Sequence, residues 1–433
     1  MIGTPNGRIL AGFGIGAGAG LAANLAAPGT PQLDWTIRQV ADPIGQIFLR
    51  MLLMVVIPLV FASLTTGLAR LKSIGSMGRI GGRTVAAYLG LALLGSLIGA
   101  TLASLVQPGV MMTGPMREAV LRSIGATPVE PAVAGIGGLV NIVPGNVIEA
   151  AAKGDALAVL FFTLVFGVAL AKTPAAVAAP VIAFLEGLLA VVGIMVTIAM
   201  AVAPLGVAAI AFANFARFGL DFLGPLGRFV GVVIAGLLVQ QFVVHTALVR
   251  IFGGRPAAPF FAASRPAVVT AFTTASSNAT MPTTLRVAEE ELGVPRVVAG
   301  FVVPLGASVS RGGTAVFVSA AAIFLAQALG LGVAPGQWLT VVILATVASV
   351  AAGGVPSGVV PLLASVVAAV GVPSGAVALV LGVEPILGMV RTAVNVTGSL
   401  ATTLVANDRR ADVGPGNHTP ESGTVKHFRS PAD

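Results

Sequence analysis

Between Arg311 and Glu384 lie 72 consecutive residues, Gly312 to Val383, without one Asp, Glu, Lys or Arg. One bilayer crossing needs roughly 20 apolar residues, so a run this long must fold back within the membrane. Gly-Gly-Val-Pro-Ser-Gly at 353–358 interrupts it. Irregular backbone at membrane depth is tolerated only where it is buried in protein or lines a cavity. A second break, Ser310-Arg311-Gly312-Gly313-Thr314, opens the run, and Arg391 follows Glu384 by two turns of expected helix. Charge at both edges of a broken, uncharged segment points to a membrane-embedded site for an anion.

The rest of the chain agrees with a membrane setting. Of its 433 residues 9% are charged and 56% hydrophobic, where soluble domains carry roughly 25% charged residues. The 55 glycines suit close packing of transmembrane helices. An excess of 24 Lys and Arg over 16 Asp and Glu would suggest nucleic acid in a soluble protein. Here the basic residues gather in short loops, as with Arg70, Lys72, Arg79 and Arg83, which places that loop in the cytoplasm and removes nucleic acid as a partner. The absence of cysteine excludes disulfides, thiolate catalysis and Cys-ligated metals. No Gly-x-Ser-x-Gly elbow, His-Glu-x-x-His or Walker motif occurs, so neither an enzyme nor a cofactor is expected. His418 and His427 lack metal-ligand company. Gly12 to Gly18, with a glycine at every second position, follows no strand, and its spacing fits a small-residue helix face.

Hydropathy predicts crossings at about 9–27, 44–69, 84–106, 143–171, 178–212 and 223–252, with an external loop at about 107–138. The first stretch is long enough to be a retained helix, not a cleaved signal. From Pro256 to Gly293 two arms of about 15 residues would each reach only about 22 Å as helix, which makes a re-entrant hairpin. A seventh crossing at about 295–329 is broken at 308–314, a second hairpin at about 336–370 turns at 353–358, and an eighth crossing covers about 373–406. From Asn407 the chain is polar and expected to be a disordered cytoplasmic tail. Eight crossings place both termini in the cytoplasm, in agreement with Arg409 and Arg410. The order hairpin, broken helix, hairpin, helix predicts a transporter with its site near the midplane. The expected fold class is an all-α polytopic membrane protein of eight transmembrane helices and two re-entrant helical hairpins.

Four ordered motifs carry a family resemblance. They are the helical segment from Arg50 through Pro58 to Leu64, Ser276-Ser277-Asn278-Ala279-Thr280-Met281-Pro282, Gly354-Val355-Pro356, and Arg391-Thr392-Ala393-Val394-Asn395-Val396-Thr397-Gly398. With these the chain resembles the dicarboxylate/amino acid:cation symporter family, the glutamate transporter homologues, from its first crossing to about Ala406. The resemblance implies a homotrimer in the cytoplasmic (inner) membrane. Residues 1–255 would supply mainly a fixed scaffold, crossings three and six joining the transport domain. Residues 256–406 would form the core of that domain, which slides like an elevator with the second hairpin as external gate.

The resemblance also assigns roles. Arg391 matches the arginine that binds the substrate's side-chain carboxylate, and its planar fork suits a carboxylate. A structural ion pair with Glu384 is the plainer reading of the same residue. Glu384 either buttresses the site or carries a proton itself. Thr314, Thr392 and Asn395 match positions that hydrogen-bond substrate, whereas Ser277, in the Ser276-Ser277 tip, and the backbone at Gly354 and Val355 would serve the other carboxylate. Amino-acid-transporting relatives have an Asp where this chain has Gly388, so the counter-charge for an ammonium is missing. That favours a dicarboxylate such as succinate, fumarate or malate, with aspartate or glutamate as the alternative.

Sodium-coupled relatives carry Asn-Met-Asp-Gly-Thr where this chain reads Ser310-Arg311-Gly312-Gly313-Thr314. A second sodium-site aspartate is replaced by Ser399, and the Thr-Ser pair after Tyr88 by Leu91-Ala92. Two carboxylates are gone, which argues against sodium coupling. Arg311 would then act as a tethered cation in place of a sodium ion, or else lock the helix break. Protons or exchange of one dicarboxylate for another would drive transport. His245 is more simply a packed residue than a titrating one. A passive anion channel is the reading of a different class. The expected partners are a small anionic substrate, the bilayer and further copies of the chain.

Overall fold

A computed structural model describes residues 5–407 apart from 56, 63–64, 67–68, 70–77, 125–142, 154–155, 310–311 and 352–358. The expectations for Arg70, Lys72, Arg311, Gly354, Val355 and the tail beyond Asn407 therefore lie outside the described residues. Every described element is helical. In chain order the main ones are α1 (Pro5–Ala26), α2 (Asp42–Leu53), α3 (Gly78–Val106), α4 (Gly114–Ser123), α5 (Ala156–Lys172), α6 (Ala175–Phe218) and α7 (Leu223–Val239). They are followed by α8 (Ala257–Thr274), α9 (Ser277–Arg286), α10 (Arg296–Val309), α11 (Gly312–Ala328), α12 (Pro335–Ala351), α13 (Val359–Ala368) and α14 (Glu384–Ala406). Helix α7 continues to Phe252 through two π-helical turns, Gln240–Val244 and Leu248–Phe252.

Among the described residues five helical stretches are long and apolar enough to cross a membrane: Gly7–Ala26, Pro31–Ala62, Arg79–Met111, Ala175–Phe252 and Arg296–Ala328. A sixth is formed if Ser374–Leu381 and Glu384–Ala406, bent by 87° from each other, count as one. The 78-residue stretch Ala175–Phe252 contains both the fifth and the sixth expected crossings, separated at Gly219, whose φ of +57° suits glycine.

Glycine sets the closest packing. The side of α1 carrying Gly12, Gly16 and Gly20 lies so close to α6 that a Cβ at each would meet backbone of Pro204, Ala208 and Phe212 respectively. Asn24 continues the series by donating to the Ala216 carbonyl oxygen at 2.9 Å. Each contact advances four residues on both helices, so α1 and α6 run side by side in the same direction. Helices α3 and α11 repeat the arrangement, with Gly95 against the carbonyl of Gly312 and Gly99 against that of Val316. The helices of the expected first and fifth crossings, and those of the third and seventh, thus run parallel.

Helices α8 and α9 fold back on each other. The turn uses Ala275 in the left-handed region, φ +49°, and Val287 and Ala288 beyond α9 share a buried cluster with Phe260 and Ala267 of α8. Helix α14 packs against α8, α10 and α11 and is buried along nearly its whole length.

The segment expected as an external loop differs in part. It begins with a 3-10 turn, Pro108–Met111, and α4. Met116 and Val120, one turn apart, are buried, and Arg117 donates to the Ala328 carbonyl oxygen at 3.2 Å. A guanidinium at the C-terminal end of α11 is favoured by the helix dipole. The mixed charge of this segment masked that short apolar pair.

Candidate functional site

The site is built on α14, whose first turns begin inside the protein after the 87° bend. Glu384 opens the helix and Arg391 lies two turns later, so both project from the same side. Their side chains pair, Arg391 Nη2 to Glu384 Oε1, at 2.9 Å, and each side chain is only about a tenth exposed. The plainer reading of Arg391, an ion pair, is therefore present, yet it occupies one nitrogen. Arg391 Nη1 is buried and has no hydrogen-bond partner among the described residues. The guanidinium carbon also stands 5.0 Å from the ring centroid of Phe317 on α11, a cation–π arrangement. A planar cation held on two sides keeps its remaining donors in fixed directions.

Gly388 sits between the two charges. A Cβ there would lie 3.5 Å from Glu384 Oε1 and 3.6 Å from Arg391 Nη2, ordinary contact distances. The position thus has room for a side chain and carries none. Thr392, one residue past Arg391, donates its hydroxyl to the Gly388 carbonyl oxygen at 2.8 Å, a bond within its own helix.

Asn395 ties α14 to α11, in the expected seventh crossing, whose predicted break at 308–314 falls partly outside the described residues and is helical at Val309 and at 312–314. Its Oδ1 accepts from the Gly313 N–H at 2.9 Å and its Nδ2 donates to Thr314 Oγ1 at 3.1 Å. The amide thus bonds the backbone and the side chain of two consecutive residues, Gly313 and Thr314. The same asparagine lines a narrow cleft with Ser277, Met281, Gly306 and Ser399. The N-terminal end of α9 therefore borders Asn395, one turn beyond Arg391. A helix N-terminus carries partial positive charge, so the start of α9 together with the guanidinium makes the surroundings of Arg391 and Asn395 favour an anion. Ser276 behaves differently from Ser277: it is the N-cap of α9, its Oγ accepting from the Ala279 N–H at 3.2 Å.

Behind the cleft, Tyr88 donates to the Val302 carbonyl oxygen at 2.8 Å and lies 3.4 Å from Ser399 Oγ. Gly312 faces Gln240, whose amide nitrogen is 2.7 Å from where a Cβ would stand and donates to the Leu91 carbonyl oxygen at 3.1 Å. His245 is buried. Among the described residues no three His, Asp or Glu side chains converge.

The structure brings Arg391, Glu384, Gly388, Thr392, Asn395, Thr314 and Ser277 into one region. Sequence reading missed Phe317 and Gln240. Phe317 stands three residues after Thr314 on the same helix side, a spacing that could have paired them. Gln240 offered the signal of an amide inside an apolar crossing.

Comparison with known proteins completes the picture. The model of the sodium:dicarboxylate symporter family matches residues 6–409. The chain is 31% identical over 378 residues to the proton/glutamate-aspartate symporter of Escherichia coli, covering 86% of each chain. It is 30% identical to the proton/sodium-glutamate symport protein of Geobacillus stearothermophilus over 84% of this chain and 86% of that one. C4-dicarboxylate transport protein 2 of Mesorhizobium japonicum is also 30% identical, over 86% of this chain and 84% of that one. A match running almost from end to end, on a helical chain with several membrane-length apolar helices, means that this protein belongs to the sodium:dicarboxylate symporter family, whose members are transporters and not enzymes.

Proposed function

We propose that this chain is a secondary active carrier of C4-dicarboxylate anions such as succinate, fumarate or malate. The observation that carries the reading is Arg391, with one nitrogen paired to Glu384, Nη1 buried without a partner among the described residues, and no acid at Gly388. A carboxylate placed at Nη1 completes a donor set whose unmet member is costly in a buried setting. An ammonium would find no counter-charge at position 388. Thr314, Thr392, Asn395 and Ser277, with the Ser276 cap and the backbone at Gly354 and Val355, are assigned to the rest of the substrate.

Sodium independence belongs to the same proposal. Gly312 and Ser399 supply no carboxylate, and Arg311 is assigned the role of a tethered cation. A dianion entering without a co-ion works against an inside-negative potential at about 2.3 kcal/mol per charge per 100 mV. Protons, through Glu384 or the substrate itself, or exchange for an internal dicarboxylate would offset that cost. The carrier is proposed to work as a homotrimer in the inner membrane, both termini cytoplasmic. Residues 256–406 would move as an elevator against a scaffold drawn mainly from 1–255.

The test is uptake of labelled succinate and aspartate into proteoliposomes, with sodium replaced by choline and internal dicarboxylate varied. Succinate uptake that survives choline is the expected result; strict sodium dependence would overturn the coupling. Aspartate uptake with no succinate uptake would favour a second reading, an acidic amino acid carrier, to which the names of two of the relatives lend support.

A further inference from the structure

Helices α3 and α7 meet where Gln240 reaches the Leu91 carbonyl oxygen, and a trough lies between them toward Arg83 and Phe252. Its walls repeat at helical spacing: Ala87, Gly90 and Leu94 on α3, and Val244, Leu248 and Ile251 on the continuation of α7. Among the described lining residues Arg83 alone is charged. The volume is about 630 Å³, within the range of roughly 300–1,000 Å³ typical of ligand sites. Leu94, Val243 and Phe252 are exposed along its rim, so it opens sideways onto whatever surrounds the helices.

Depth and charge identify the occupant. From Arg83 to Leu94 the wall rises about 16 Å at 1.5 Å per residue, half of the roughly 30 Å hydrocarbon core and so the depth of one leaflet. Outside the lining, Arg79 precedes Arg83 by one turn and Arg250 precedes the lining residue Ile251 in the chain, and both are exposed. The trough is therefore apolar over one leaflet's depth and cationic at its mouth. We propose that it binds one anionic phospholipid, an acyl chain lying along Ala87 and Gly90 and the phosphate at Arg83, with Arg79 and Arg250 beside it. The floor bears on the transport site: Leu91 holds Gln240, and Gln240 packs on Gly312 at the start of α11. A lipid seated here braces that junction from behind.

The proposal rests on the membrane reading of the chain and not on its substrate. Its test is lipid retention by the purified full-length protein in native mass spectrometry, offered equal amounts of phosphatidylglycerol and phosphatidylcholine with identical acyl chains. Preferential retention of phosphatidylglycerol by at least roughly fivefold is expected, the factor that one basic residue at a membrane surface contributes. Arg83→Gln should lower the preference by about fivefold. Gly90→Leu, at a position where a Cβ meets nothing within 4 Å, should fill the trough and lower retention of both lipids while the fold is kept. Equal retention of the two lipids, unchanged binding in Gly90→Leu, or a second copy of the chain occupying this face would overturn the proposal.

Discussion

Arg391 is held from two directions, by Glu384 through Nη2 and by the Phe317 ring across its face. The charge is compensated by Glu384, and Nη1 has no hydrogen-bond partner among the described residues. Introducing Asp at position 388 changes this balance. Its carboxylate would stand beside both Glu384 and Arg391, where like charges juxtaposed in a binding site cost several kcal/mol. Gly388→Asp is expected to weaken succinate binding by about 10- to 100-fold, one to two steps of 1.4 kcal/mol, and to raise affinity for aspartate relative to succinate. Calorimetric titration of both ligands checks this; an unchanged preference would remove Gly388 from specificity. At this scale Arg391, Asn395 and Thr314 were legible because each sits in a motif. Phe317 was not, since an aromatic residue in an apolar run reads the same whether it faces a lipid, a core or a guanidinium.

Helix α1 has two glycine-bearing sides with different surroundings. Gly12, Gly16 and Gly20 meet α6 backbone, whereas a Cβ at Gly14 or Gly18 meets nothing within 4 Å. Because backbone carbonyls cannot move aside as a rotamer can, Gly16→Val should force the helices apart and destabilise the protein by about 1–3 kcal/mol, the usual cost of overpacking. Gly14→Val on the same helix should leave stability near that of the parent. Thermal midpoints in detergent compare the two, and equal midpoints would refute the packing argument. The existence and approximate positions of most helices were readable from apolar length, and the small-residue side of α1 from its spacing. The α4 segment was not readable, because two buried residues among charged ones fall below any hydropathy threshold. The bend before Glu384 was also unseen: the sequence there is uniformly apolar, and a change of direction leaves hydropathy untouched.

Across the whole molecule the deciding question is what balances the charge of the cargo. Arg311→Met removes the cation assigned to replace sodium while Gly312 and Ser399 still lack carboxylates. Succinate affinity should fall at least about tenfold, the scale of one lost charge interaction of about 1.4 kcal/mol, and added sodium should not restore it. Uptake measured with sodium and with choline gives the answer; rescue by sodium would show that a cation site persists. The parallel pairing of α1 with α6 also limits how the protein can move. Their contacts repeat every four residues, about 6 Å of helix rise, and a shorter slide would carry the α6 backbone off its notches and onto side chains such as Phe13 and Ala17. The two helices mesh like a pair of toothed racks: whatever travels during a transport cycle, neither can advance along the other by a fraction of that step.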